Sequence, residues 1–184
     1  RRLHMVNIAW RDLNNLQSIE ASLEQVSALA DALIVSTYNH LYSKLVKRYG
    51  IPDGSRGPQH MLILGMGKLG GRELTFSSDI DLIFCYPNNG FIEGQRKSIE
   101  HQQFFTKLAQ QLITALNKVT ADGQVFRVDM RLRPFGESGP LVMQFSALED
   151  YYQDQGREWE RYAMIKARIL NTNNNYADEL SAIL

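Results

Sequence analysis

The sequence predicts an α+β fold, a small mixed sheet with flanking helices, on three observations. A long run of apolar residues recurs at helical spacing near the start of the chain, short apolar segments with period-two alternation occupy its middle, and an amphipathic helix lies between two of those segments. These patterns divide the 184 residues into a helical segment at 1–58, a sheet-bearing core at 59–145 and a second helical segment at 146–184.

From about Ser18 to Tyr49, the residues Ile19, Leu23, Val26, Leu29, Leu33, Leu41 and Leu45 keep close to the helical period, and Gly50-Ile51-Pro52 ends the run. This stripe reads as core packing. Residues 53–59, with Gly54, Gly57 and Pro58, make an exposed connector. The apolar strand from Met61 to Leu64 then runs into a glycine-rich turn. A second strand follows, in which Ile80, Leu82 and Phe84 alternate with Asp79, Asp81 and Ile83, and a loop runs from Pro87 through Gly90. Phe104, Phe105, Leu108, Leu112, Ala115, Leu116 and Val119 give a helix able to cross one sheet face and return the chain beside the second strand. Asp122-Gly123 turns into a third strand, where Phe126, Val128, Met130 and Leu132 alternate with Arg127, Asp129, Arg131 and Arg133. Ser146 to Glu149 has the pattern of a capping box opening a helix that Gly156 closes, and another helix is expected from about Arg157 to Leu170, before the interruption at Asn171–Tyr176. Trp10 and Trp159 are expected as core anchors, and His4, His40, His60 and His101, which lack metal-ligand spacing, as surface or capping residues.

The chemistry concentrates in three aspartates. Period two aims Asp79 and Asp81 to one face, and Asp129 joins them if the third strand lies beside the second with its polar face in register. Hard oxygen ligands at this density suit Mg²⁺ or Mn²⁺. Two such ions about 3.5–4 Å apart activate an attacking oxygen and stabilise a leaving one at phosphorus. The plain alternative is a turn cap at Asp79 and a surface ion pair between Asp129 and a neighbouring arginine.

The turn Gly65-Met66-Gly67-Lys68-Leu69-Gly70-Gly71 has the glycine spacing of a dinucleotide site, but only seven residues separate Gly71 from Asp79, too few for a crossover helix. The Walker pattern fails as well, because Leu69 follows Lys68. What remains is a turn whose backbone N–H groups, from Gly65 through Gly67, can approach phosphate, with Lys68 as a point charge beside it. Ser78 offers a hydroxyl to phosphate or a cap to the strand. Arg131 and Arg133, with Arg127, supply guanidinium forks that suit phosphate, and Arg157, Arg161, Lys166 and Arg168 either extend that set or pair on a helix surface.

Twenty basic residues balance twenty acidic ones, so no footprint for a nucleic-acid polymer is present. No stretch is apolar enough to span a membrane and no leader opens the chain, so a soluble cytoplasmic protein without membrane partners is expected. The first residues, Arg1-Arg2, suggest an excised fragment. Cys85, the single cysteine, reads as a small buried hydrophobe.

The run from Gly65 through Arg72-Glu73-Leu74-Thr75-Phe76-Ser77-Ser78-Asp79-Ile80-Asp81-Leu82 resembles the glycine-then-paired-acid signature of the DNA polymerase β nucleotidyltransferase superfamily. More narrowly, that run, the stretch from Val128 to Val142 and the stretch from Leu148 to Arg168 resemble the glutamate-ammonia-ligase adenylyltransferase family. The resemblance covers nearly the whole chain. It implies a polymerase β-like fold, with 59–145 as the nucleotidyltransferase core. It also implies Asp79, Asp81 and Asp129 as metal ligands, and phosphate contacts from Gly65, Gly67, Lys68, Ser78, Arg131 and Arg133. The family carries two related catalytic domains, and the runs Phe76–Asp81, Pro134–Pro140 and Tyr151–Gln153 are more similar to the amino-terminal, adenylyl-removing one. That implies phosphorolysis: orthophosphate attacks the AMP phosphorus on a glutamine synthetase tyrosine and ADP leaves, with the PII signal protein as regulator. The alternatives are ATP-dependent adenylylation of glutamine synthetase or another acceptor, or a non-catalytic regulatory domain of the same fold.

Overall fold

In this computed structural model, which describes residues 1–93 and 98–184, the chain opens with helices α1 (Arg2–Leu13) and α2 (Ile19–Tyr49). Ser18 caps α2 by accepting a hydrogen bond from the Ala21 N–H, and Gly50, at φ 102°, ends it, as the sequence leads one to expect. Helix α1 is an addition. Its Leu3, Val6, Trp10 and Leu13 are exposed, so Trp10 is not a core anchor, and neither is Trp159.

Residues 53–59 form a tiny hairpin, β1 (Asp53–Gly54) with β2 (Gly57–Pro58), rather than a plain connector. Gln59 is buried behind it and reaches the carbonyl of Asp53 and the N–H of Asn88. Then come β3 (Leu62–Gly65), the one-turn helix α3 (Gly67–Gly70), β4 (Ile80–Tyr86), a short pair of β5 (Phe91–Ile92) and β6 (Ile99–Glu100), and helix α4 (His101–Asn117). After β7 (Val128–Asp129) and β8 (Val142–Gln144) the chain turns through α5 (Phe145–Asp150) into a π-helical turn at Tyr151–Gln155, then α6 (Glu158–Met164), β9 (Arg168–Ile169) and α7 (Ala177–Ile183).

The main sheet is mixed. β3 runs antiparallel to β4 and to β9, while β7 and β8 follow one another, both parallel to β4, along its other edge. Alternation along β4 sends Ile80, Leu82, Phe84 and Tyr86 into a core with α2 and α4, and Ile83 and Cys85 into a second core with Phe145, Leu148, Tyr176 and Leu180. Both faces of β4 are therefore covered, and its polar residue, Asp81, lies near the strand's open end. Phe104 is fully buried at the centre of the α2–α4 layer, with edge-on contacts to Tyr42, Tyr49 and Phe105. Phe104→Ala is expected to lower the unfolding free energy by about 3–5 kcal/mol, read from the denaturant midpoint; a loss below about 1 kcal/mol would contradict this packing.

Several expected boundaries move. The third strand shrinks to Val128–Asp129 because the Asp129 carboxylate accepts the N–H of Arg131 at 2.8 Å, turning the chain at once. Helix α4 stops at Asn117, whose side chain accepts the Val128 N–H, and leaves Val119 exposed. Ser146 does not cap α5, which begins one residue earlier. The expected helix from Arg157 to Leu170 ends at Met164 and yields to β9. His101 is buried rather than superficial, and its Nδ1 hydrogen-bonds the Asn88 carbonyl at 2.9 Å. Cys85 is buried as expected, and burial pushes its thiol far up.

Candidate active site

The parallel register between β4 and β7 sets Ile80 beside Val128 and Asp81 beside Asp129. The two carboxylates therefore stand on the same side of adjacent strands, with Asp79 two residues before Asp81. An open cleft of about 520 Å³ lies here, lined by Asp79, Arg127, Asp129, Arg131, Arg133 and Glu137 among others.

Each acid meets a different environment. Asp79 accepts a hydrogen bond from Arg127 Nε. Asp129 is gripped by Arg131, whose Nη2 lies 2.5 Å from Oδ2 and whose backbone N–H donates to Oδ1. Those hydrogen bonds hold the Asp129 carboxyl below the usual carboxylate range. Among the described residues, Asp81 has no guanidinium of its own. Burial, then repulsion from Asp129 and Asp79, pushes its carboxyl above the ordinary value, and the charges of Arg131 and Lys68 offset part of that rise.

The glycine turn is the first turn of α3, directly after β3. Gly67 has φ +52°, and a Cβ there would come 3.0 Å from Asp81 Oδ2, so this glycine makes room for the carboxylate. Lys68 is exposed beside it. Gly65 serves packing, since a Cβ would strike Leu170 at 2.9 Å. The Ser78 hydroxyl closes a local turn by accepting from the Thr75 N–H at 3.1 Å and meeting its Oγ1 at 2.6 Å. Arg133 donates to the carbonyls of Met130 and Glu137, at 2.7 and 3.0 Å, and so braces the loop that walls the cleft. In the later basic group, Lys166 pairs with Glu73 and Arg168 with Asp31, while Arg161 donates to the Gln153 carbonyl. Asp31 is the residue that sequence reasoning missed; it lies in mid-helix with no local motif to mark it.

A cation is consistent with the chemistry of this donor set: three carboxylates at one strand end, with repulsion on Asp81 that a divalent charge relieves. As the side chains stand, no group of three or more His, Cys, Asp or Glu among the described residues is arranged to hold a metal. The obstacle is specific. Arg127 and Arg131 occupy two of the acids, yet their side chains are 69% and 74% exposed, so they can turn outward into solvent.

The sequence model of the glutamate-ammonia ligase adenylyltransferase family matches residues 1–182. The chain belongs to that family. The bifunctional glutamine synthetase adenylyltransferase/adenylyl-removing enzyme of Alteromonas mediterranea is 65% identical over 175 residues, 95% of this chain and 18% of that relative. The proteins of the same name from Shewanella frigidimarina and Shewanella woodyi are 57% and 58% identical across the whole chain, which covers 20% and 19% of their lengths. The chain thus spans about a fifth of the length of the curated relatives it matches. Arg127, expected with Arg131 and Arg133 as a guanidinium fork for phosphate, instead pairs with Asp79 at the cleft, a partner that only the pairing of β4 with β7 brings into reach. Among the described residues, no helix is long and apolar enough to cross a membrane.

Proposed function

We propose that this chain is a polymerase β-like nucleotidyltransferase domain that removes AMP from the adenylylated tyrosine of glutamine synthetase by phosphorolysis. The observation that carries the reading is the register that sets Asp81 beside Asp129, with Gly67 of the glycine turn against the Asp81 carboxylate and Asp79 and Asp129 lining the adjoining cleft. The direction of reaction rests on the resemblance of Phe76–Asp81, Pro134–Pro140 and Tyr151–Gln153 to the adenylyl-removing domain. An oxygen of orthophosphate bonds to the AMP phosphorus, the tyrosine oxygen–phosphorus bond breaks, ADP leaves and the phenolic oxygen takes a proton.

Asp79, Asp81 and Asp129 would hold Mg²⁺ or Mn²⁺, whose contribution is to neutralise charge on the phosphoryl oxygens. Lys68 and the backbone of the Gly65–Gly71 turn hold phosphate oxygens. Arg131, once released from Asp129, gives a bidentate contact to a phosphoryl group. Arg133 contributes through the loop it braces, and Ser78 through the turn it closes. The setting is cytoplasmic, with adenylylated glutamine synthetase as protein substrate and the PII signal protein as regulator.

The deciding experiment incubates the full-length protein with adenylylated glutamine synthetase, with and without phosphate. The expected product is ADP, released only when phosphate is present. AMP as product, or full-speed discharge without phosphate, means hydrolysis and sinks the phosphorolytic reading. Transfer of label from ATP to unmodified glutamine synthetase that is lost on changing Asp81 places the forward reaction here instead.

A further inference from the structure

We propose that Arg168 and Asp31 form a positioning pair for this site, fixing α3, and with it Lys68 and Gly67, opposite Asp81. The inference rests on the reading of the turn as a phosphate seat and adds the residues that hold the seat in place.

A four-residue helix has too few internal hydrogen bonds to hold its own shape, so tertiary contacts must set where α3 lies. Its last carbonyls lack helical partners. The Lys68 and Leu69 carbonyls accept the N–H groups of Glu73 and Arg72 just beyond the helix, and Arg168 adds to this: its Nη2 donates to the Leu69 carbonyl at 2.9 Å and its Nε to the Gly70 carbonyl at 3.2 Å. The same guanidinium forks onto Asp31 of α2, with Nη1 to Oδ2 at 2.8 Å and Nη2 to Oδ1 at 3.1 Å. Both side chains are largely covered, at 23% and 22% exposure, so water screens this pair less than a surface one. Arg168 itself is anchored in β9, opposite Gly65 of β3.

Two neighbouring contacts make the arrangement a clamp. Ser27 lies one turn before Asp31 on the same face of α2 and accepts the Leu74 N–H at 3.1 Å, so α2 holds one end of the segment 69–74 directly and the other through Arg168. Gly70 packs so tightly that a Cβ would fall 1.9 Å from the Lys166 carbonyl, which joins α3 to the approach of β9. At the other end of α3, Gly67 already abuts Asp81. A shift of α3 therefore displaces the Lys68 ammonium and crowds or exposes Asp81 together. Lysine at 168 keeps the charge but has no fork to reach two carbonyls and a carboxylate at once.

The test uses the full-length protein with Arg168→Lys, Asp31→Asn and the double variant. Arg168→Lys is expected to raise the phosphate concentration for half-maximal discharge by about tenfold and to lower kcat by a smaller factor, and Asp31→Asn to do the same more weakly. Amide hydrogen exchange at residues 67–71 is expected to speed up in both, and the double variant to be no worse than the more impaired single one. Variants that melt earlier but keep the wild-type phosphate dependence and the wild-type exchange at 67–71 would make the pair a plain structural ion pair and overturn the proposal. A wild-type protein that releases no ADP with phosphate defeats the functional reading alone; unchanged exchange at 67–71 then still defeats the positioning. Should Arg168→Lys not fold, Asp31→Asn, which preserves shape, decides by the same two readouts.

Discussion

Asp81→Asn is expected to cut turnover by at least about a hundredfold and yet to make the protein more stable at neutral pH. The activity loss follows from removing the carboxylate at the centre of the acid cluster. The stability gain follows from its electrostatics. Burial, Asp129 and Asp79 raise the Asp81 carboxyl above its ordinary value, so the folded protein favours the protonated form more than the unfolded chain does. A group shifted in that direction gives its full contribution to stability below the ordinary carboxylate pKa and loses it as pH rises through the raised value. At neutral pH the ionised side chain is a burden, and asparagine lifts it. The advantage of the variant should therefore fade on acidification.

Asp129→Asn provides the opposite sign. Hydrogen bonds from Arg131 lower the Asp129 carboxyl, so its ionised form supports the fold above the ordinary carboxylate pKa and that support is lost as pH falls through the lowered value. This variant should lose both activity and stability at neutral pH. Thermal melts at neutral and acid pH, beside the ADP-release assay, separate the two. If Asp81→Asn keeps near-normal turnover, the catalytic assignment fails; if it melts earlier than wild type at neutral pH, Arg131 and Lys68 outweigh burial and repulsion.

The neighbourhood of Asp81 and Asp129 was legible because strand alternation leaves few choices: Ile80 and Leu82 must enter the core, so Asp81 must face away from it. The crossover through α4, with its seven buried positions, then brings β7 back in parallel. What escaped the sequence had no local pattern. β9 is two residues long and continues a helix-like run from Arg157, and it becomes a strand only because Leu64 and Gly65 offer it an edge. Asp31 and Arg168 are 137 residues apart and meet only in the folded chain. Arg131 and Arg133 look alike in Arg131-Leu132-Arg133, but one grips a carboxylate and the other braces carbonyls, a difference set by the turn that Asp129 itself creates. Trp10, expected as a core anchor, stands exposed on α1, since a large apolar side chain does not by itself reveal whether its face finds a partner.

Gly67→Ala should be nearly as damaging as Gly67→Val, which separates the role of this glycine from simple bulk. At φ +52° any side chain costs on the order of 1–2 kcal/mol of backbone strain, a loss the fold as a whole can survive. The larger effect is local. Even a methyl group would stand 3.0 Å from Asp81 Oδ2, tighter than ordinary contact, so either the carboxylate or α3 must give way by a few tenths of an ångström. Displacements approaching 1 Å at a reacting centre cost about a hundredfold in rate, so a loss of roughly ten- to a hundredfold is expected from Ala and more from Val. Melting temperature should fall only modestly, and Gly136→Ala, also at positive φ but with nothing nearer than 3.9 Å, should share the strain with little of the activity loss. Full discharge activity in a folded Gly67→Ala protein would show that Asp81 does not need the space this glycine leaves and that the turn is not the phosphate seat.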